Sequence, residues 1–133
     1  MPHYMLVIRE NPAVFKDYSP ERFQTLLEKF SAWSQRMAAE GRLVGGNKLA
    51  ERGGTVLRKD GAKLQVKDGP YVETKEVLGG YFIIQAQDYA HAVKACEDHP
   101  AFLHGASIEV REVDYMGKDT GESCTPDNVK AKT

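Results

Sequence analysis

Residues 73–76, reading Glu-Thr-Lys-Glu, stand between a D-G-P turn signal at 68–70 and a glycine pair at 79–80. Glu73 and Lys75 are two apart, so on extended backbone they share a side. On a solvated surface such a pair contributes little. Desolvated in a cleft, the same two groups become an acid and a base able to move a proton. Asp68 also has two readings, as an Asx-turn residue that braces the Gly69-Pro70 bend or as a pocket carboxylate. The residue before proline is driven to extended backbone, and paired glycines let another backbone or a ligand come close. Asp68, Glu73 and Lys75 are therefore candidate catalytic groups, with Gly69, Pro70, Thr74, Gly79, Gly80 and Tyr81 as candidate ligand contacts.

Four histidines add to this inventory: His3, His91, His99 and His104. His99 and His104 flank a proline-containing turn after the second helical segment, and either is placed to supply a base; His99 is taken as the candidate. The plain alternative is an exposed turn histidine. Their five-residue separation suits chelation poorly, and the chain holds no H-x-x-x-H motif and no Cys-His cluster, so neither a metal nor a cofactor is expected. Cys96 and Cys124 form no C-x-x-C pair and match no catalytic cysteine signature. Both read as reduced thiols of a cytoplasmic protein.

The elements that would position these groups follow from periodicity. Residues 3–9 form a strand with Tyr4, Leu6 and Ile8 on one face and Met5 and Val7 on the other. Ser19-Pro20 is an N-cap with a first-turn proline. From there Phe23, Leu26, Leu27, Phe30, Trp33 and Met37 recur at helical spacing up to Gly41. Residues 43–49 read as a second strand, and Asp60-Gly61 as the turn of an inserted hairpin. Tyr81 to Gln85 begins a second unit, Asp88 caps a shorter helix that ends before Pro100, and residues 107–113 supply the last strand. The chain of 133 residues fits one domain over 1–116, with a polar tail at 117–133 that lacks an apolar period. A formal net charge of −1 with interleaved signs gives no basic face for nucleic acid, and no apolar run is long enough for a membrane span.

Asp68-Gly69-Pro70-Tyr71, the Glu73–Glu76 run into Gly79-Gly80-Tyr81, the opening strand Tyr4–Ile8, Leu43-Val44-Gly45-Gly46 and the closing Ile108–Arg111 together resemble the YCII-related (YciI-like) family, in its branch named for a D-G-P-F motif. Here Tyr replaces the Phe. The resemblance implies an α+β, ferredoxin-like domain of two β-α-β units with an inserted hairpin. It also implies pairing into a dimeric α/β barrel with a ligand pocket between sheet and helices. Some relatives carry a histidine near the start of the first helix that works with an aspartate. Residues 19–24, Ser-Pro-Glu-Arg-Phe-Gln, hold none, and Asp98 has no evident partner from that helix.

A homodimer is also the simplest consequence of the first strand, because two helices cover one sheet face while the strand is apolar on both. Three function classes fit. The first is a lyase or isomerase moving protons on a small organic molecule. The second is a noncatalytic small-molecule-binding module, and the third a regulatory partner-binding domain.

Overall fold

The computed structural model describes residues 1–50, 54–68 and 77–115. Strand β1 (His3–Glu10) leads through a 3₁₀ segment (Pro12–Asp17) into α1 (Pro20–Ala39), followed by β2 (Leu43–Lys48). A hairpin of β3 (Thr55–Asp60) and β4 (Lys63–Asp68) precedes β5 (Val77–Gln85), α2 (Tyr89–Cys96), a second 3₁₀ segment (Pro100–His104) and β6 (Ser107–Glu112). The main sheet has the order β2-β5-β1-β6, and every neighbouring pair is antiparallel. Because β1 and β2 both run against β5, they are parallel to each other with β5 between them. The expected α+β class is therefore present, and the strand order is compatible with a ferredoxin-like fold.

Local chemistry sets both helices. Ser19 Oγ accepts from the Arg22 N–H at 3.1 Å, Pro20 follows at the first helical position, and Gly41 turns the chain out at φ 72°. Asp88 caps α2 by accepting from the His91 N–H at 2.9 Å, and its hydrogen bonds from the His91 side chain and backbone hold its carboxyl below the usual range.

The helices cover one face of the sheet. Tyr4, Leu6 and Ile84 from the strands meet Trp33 and Met37 of α1 and Ala92, Ala95 and Cys96 of α2 in one buried cluster. The Trp33 indole N–H donates to the Ala95 carbonyl at 3.2 Å, which ties the two helices together. Burial pushes the Cys96 thiol up to about 11, so it behaves as a core residue rather than a nucleophile. On the other face, Met5, Val7, Tyr81 and Ile83 are half-buried.

The hairpin forms a separate two-stranded sheet turned at Gly61, whose φ is 62°. Leu57, Leu64 and Val66 on it are exposed, so the hairpin does not spend its apolar side chains on the uncovered sheet face. One sequence expectation changes. The second unit's strand begins at Val77, not Tyr81, which places Gly79 and Gly80 inside β5.

Gly46 is where β2 meets β5 most tightly: a Cβ there would stand 2.7 Å from both Phe82 Cδ1 and the Tyr81 carbonyl oxygen. The carbonyl belongs to the sheet ladder and cannot rotate away. Gly46→Ala is expected to cost about 1–3 kcal/mol, the usual range for overpacking. Urea denaturation followed by circular dichroism measures it, and an unchanged midpoint would show that β2 slides to accept the methyl group.

Candidate functional site

A cavity of about 330 Å³ lies between α1 and the sheet. Phe23, Leu26, Leu27, Phe30, Ser31 and Ser34 of α1 form one wall. Ile8, Glu10, Gly79, Gly80 and Phe82 form the floor, and residues 46–48 the β2 edge. Phe15 from the first 3₁₀ segment and His104 from the second complete the lining. The lining is mostly apolar with few polar groups, the usual make-up of a small-molecule site.

Two of those groups form a buried pair. His104 Nε2 is 3.0 Å from Glu10 Oε2, and the histidine side chain is 1% exposed and the glutamate side chain 11%. Glu10 follows Tyr4, Leu6 and Ile8 on the helix-facing side of β1, so its carboxylate stands where the alternation would put another core residue. A carboxylate only accepts, so the Nε2–H donates to it. In the neutral ring that leaves Nδ1 with a bare lone pair, and Nδ1 has no hydrogen-bond partner among the described residues.

Both ends of the pair depend on local backbone devices. Ile8 pairs with Gly80 and Arg9 with Leu78, so Gly79 is the extra residue of a β-bulge. A Cβ on Gly79 would overlap the Glu10 carboxyl group, so only glycine leaves room for it. At the other end, His104 closes its 3₁₀ segment immediately before Gly105, whose φ of 80° favours glycine. The Phe15 ring packs 4.9 Å from the His104 ring, centroid to centroid, and also touches Phe23 at 5.7 Å.

Of the sequence candidates, Gly79 and Gly80 lie in this cavity wall. Tyr81 is half-buried on the opposite sheet face, its hydroxyl accepting from Asn47 Nδ2 at 3.1 Å. Asp68 ends β4 opposite Thr55 and is exposed, away from the cavity lining. Gly69, Pro70, Glu73, Thr74 and Lys75 lie outside the described residues, as does Cys124.

His99 is placed in the core rather than in the cavity wall. It is 2% exposed, with Trp33, Phe30 and Phe82 ring centroids at 4.5, 5.2 and 5.5 Å. Its Nδ1 accepts from the Ala101 N–H at 3.0 Å and caps the 3₁₀ segment, while Nε2 is buried without a partner among the described residues. Asp98 beside it does have a partner on the first helix. Arg36 near the end of α1 reaches it with two hydrogen bonds of 2.5 and 2.7 Å, which hold the carboxyl below its usual range. The sequence reading looked for that partner at the start of the helix and missed it. It also missed Glu10, which sits at the end of a strand without a motif around it; the helix-facing register of β1 was the available signal.

The sequence profile of the YCII-related domain matches residues 2–116, most of the chain. The chain belongs to the YCII-related domain family. Comparison with curated proteins finds no match. The matched span of the YCII-related domain contains every cavity residue described here. No cluster of three or more metal-ligating side chains occurs among the described residues, and no helix there is long and apolar enough to cross a membrane.

Burial drives the His99 pKa down from 6.5 to about 4, a loss that nearby Asp98 offsets in part and His104 reinforces. The folded state therefore resists a proton that the unfolded chain takes up readily. Stability is full above pH 6.5 and falls as the pH drops towards 4, by about 3 kcal/mol from this group. His99→Phe is expected to remove that component. Paired denaturation curves at pH 7.5 and 4.5 test it, because an identical pH slope in parent and variant would show that His99 is protonated in the fold.

Proposed function

We propose that this YCII-related domain binds a small organic molecule between α1 and the sheet and moves a proton on it, as a lyase or isomerase. The carrying observation is the buried His104–Glu10 pair in the wall of a mostly apolar cavity. Glu10 fixes the ring tautomer and offsets the charge of the imidazolium that forms when Nδ1 takes a proton. The proton comes from carbon next to a carbonyl, and its electron pair becomes the enolate. Return of the proton at another carbon completes an isomerisation. In an elimination the enolate pair instead forms a C=C bond to the adjacent carbon, the leaving group departs with the electrons of its own bond, and the imidazolium proton passes to it.

His104 thus takes the base role for which His99 was the sequence candidate, since His104 lines the cavity and keeps an unpaired nitrogen. Asp68, exposed at the end of β4, lies away from the cavity and takes no part in this reading. The apolar walls formed by Phe15, Phe23, Phe30 and Phe82 support a second reading, a module that binds the same molecule without reacting.

Exchange with solvent deuterium separates the two. A panel of small cyclic ketones is incubated with the protein in D₂O and followed by proton NMR. The expected result is enzyme-dependent loss of α-proton signal from at least one member, reduced a hundredfold or more in His104→Gln and Glu10→Gln, in the range usual for a lost general base. Binding without exchange in the parent would leave the module reading.

The reading extends to a homodimer with the half-buried stripe of Met5, Val7, Tyr81 and Ile83 against a second copy, since both helices lie on the opposite face. Light scattering at micromolar concentration is expected to give twice the 14.8 kDa chain mass. A folded protein of single mass would overturn it.

A further inference from the structure

We infer that the cavity is built for an uncharged, ring-sized molecule that donates one hydrogen bond, a phenol or cyclic alcohol. This rests on the reading of the cavity as a small-molecule site, and it narrows that reading to one ligand class. It does not need any reaction to occur there.

Size comes first. A cavity of roughly 150 Å³ suffices to hold benzene. The 330 Å³ here therefore accommodates a substituted ring or a small fused pair, and no long chain. Shape is given by aromatic walls: Phe15, Phe23 and Phe30 on the helical side and Phe82 on the sheet offer faces and edges for a flat ring.

The polar groups then fix what the ring must carry. Ser34 Oγ already donates to the Phe30 carbonyl at 3.0 Å, and Ser31 Oγ accepts from Gln35 Nε2 at 3.3 Å. The Asn47 side chain is turned to the opposite sheet face, where Nδ2 donates one hydrogen bond to the Tyr81 hydroxyl. His104 lines the cavity, and its Nδ1 is buried and without a partner among the described residues. In the neutral ring, with Nε2–H held by Glu10, that nitrogen is an acceptor, so its complement is an O–H or N–H donor. A ligand lacking the donor leaves the lone pair buried and unpaired, the situation in which sites discriminate most strongly.

Charge is selected against. A carboxylate entering this wall meets the Glu10 carboxylate behind His104 and leaves water for an apolar enclosure, which is costly without a partner. Lys48 also lines the cavity, but at its rim on the exposed β2 edge and away from the His104 wall, and its ammonium group donates to the Leu49 carbonyl at 3.3 Å.

Four probes of one ring size test this on the full chain: 4-methylphenol, 4-methylcyclohexanol, toluene and 4-methylbenzoate, each titrated by calorimetry and by NMR of ¹⁵N-histidine-labelled protein. The hydroxylated probes are expected to bind at least tenfold more tightly than toluene and 4-methylbenzoate, and to move the His104 Nδ1 resonance. In His104→Phe that preference is expected to collapse to less than threefold. Glu10→Gln serves the same comparison where the first variant does not fold. Toluene equal to 4-methylphenol, 4-methylbenzoate tighter than either, a preference that survives both substitutions, or no binding of any probe would each overturn the inference. A hydroxyl preference with no deuterium exchange on the ketone panel would sink catalysis while leaving this ligand class intact.

Discussion

A carboxylate on the core-facing side of a central strand is the constraint around which this domain is arranged. Charge buried without a partner costs far more than a single domain's margin of stability allows, so Glu10 needs a hydrogen-bond donor at close range. His104 supplies it, 94 residues away in sequence and 3.0 Å away in space. That contact fixes where the second 3₁₀ segment lies against β1, and so how the chain leaves α2 and enters β6. It also demands space on the neighbouring strand, which the Gly79 bulge provides. Strand register, a glycine position and a turn geometry thus meet at one buried carboxyl group.

The same constraint makes the pocket. A close-packed core would fill the space between Phe30, Phe82 and Ile8 with side chains, and interiors normally leave few voids larger than a water molecule. Here Gly46, Gly79 and Gly80 contribute no side chain where large strand residues would close the gap. At Gly46 and Gly79 the missing Cβ is required by what already lies beside it, the Phe82 ring in one case and the Glu10 carboxyl in the other. The glycines therefore keep a cavity open and keep its polar end in place at once.

Much of the fold was legible because it is written in periodicity and caps. Ser19-Pro20, the 3.6-residue recurrence from Phe23 to Met37, Gly41, and Asp60-Gly61 each name a local conformation that tertiary packing had no reason to override. The site was less legible. Charge density pointed to 73–76, and Gly79-Gly80 was recognised as a close-approach point, but its partner was not. Glu10 and His104 are each unremarkable in their own segment, and only the pairing of β1 with β5 and β6 brings them together. Strand alternation carried one residue further would have marked Glu10 as core-facing; no local pattern marks the residue that would meet it.

The two histidines of the second 3₁₀ segment show why residue type alone does not assign a role. His99 and His104 are both buried, both ringed by aromatic side chains, and each has one nitrogen without a partner among the described residues. In His99 the engaged nitrogen accepts from the Ala101 backbone, so the idle one carries the proton. Burial then holds the ring neutral, and it serves as an N-cap and a core filler. In His104 the engaged nitrogen donates to a carboxylate, so in the neutral ring the idle one is a lone pair, and a positive ring would have a counter-charge beside it. The difference lies in the sign of one hydrogen bond. It gives the first ring a structural use and sets the second against a buried carboxylate at the cavity wall.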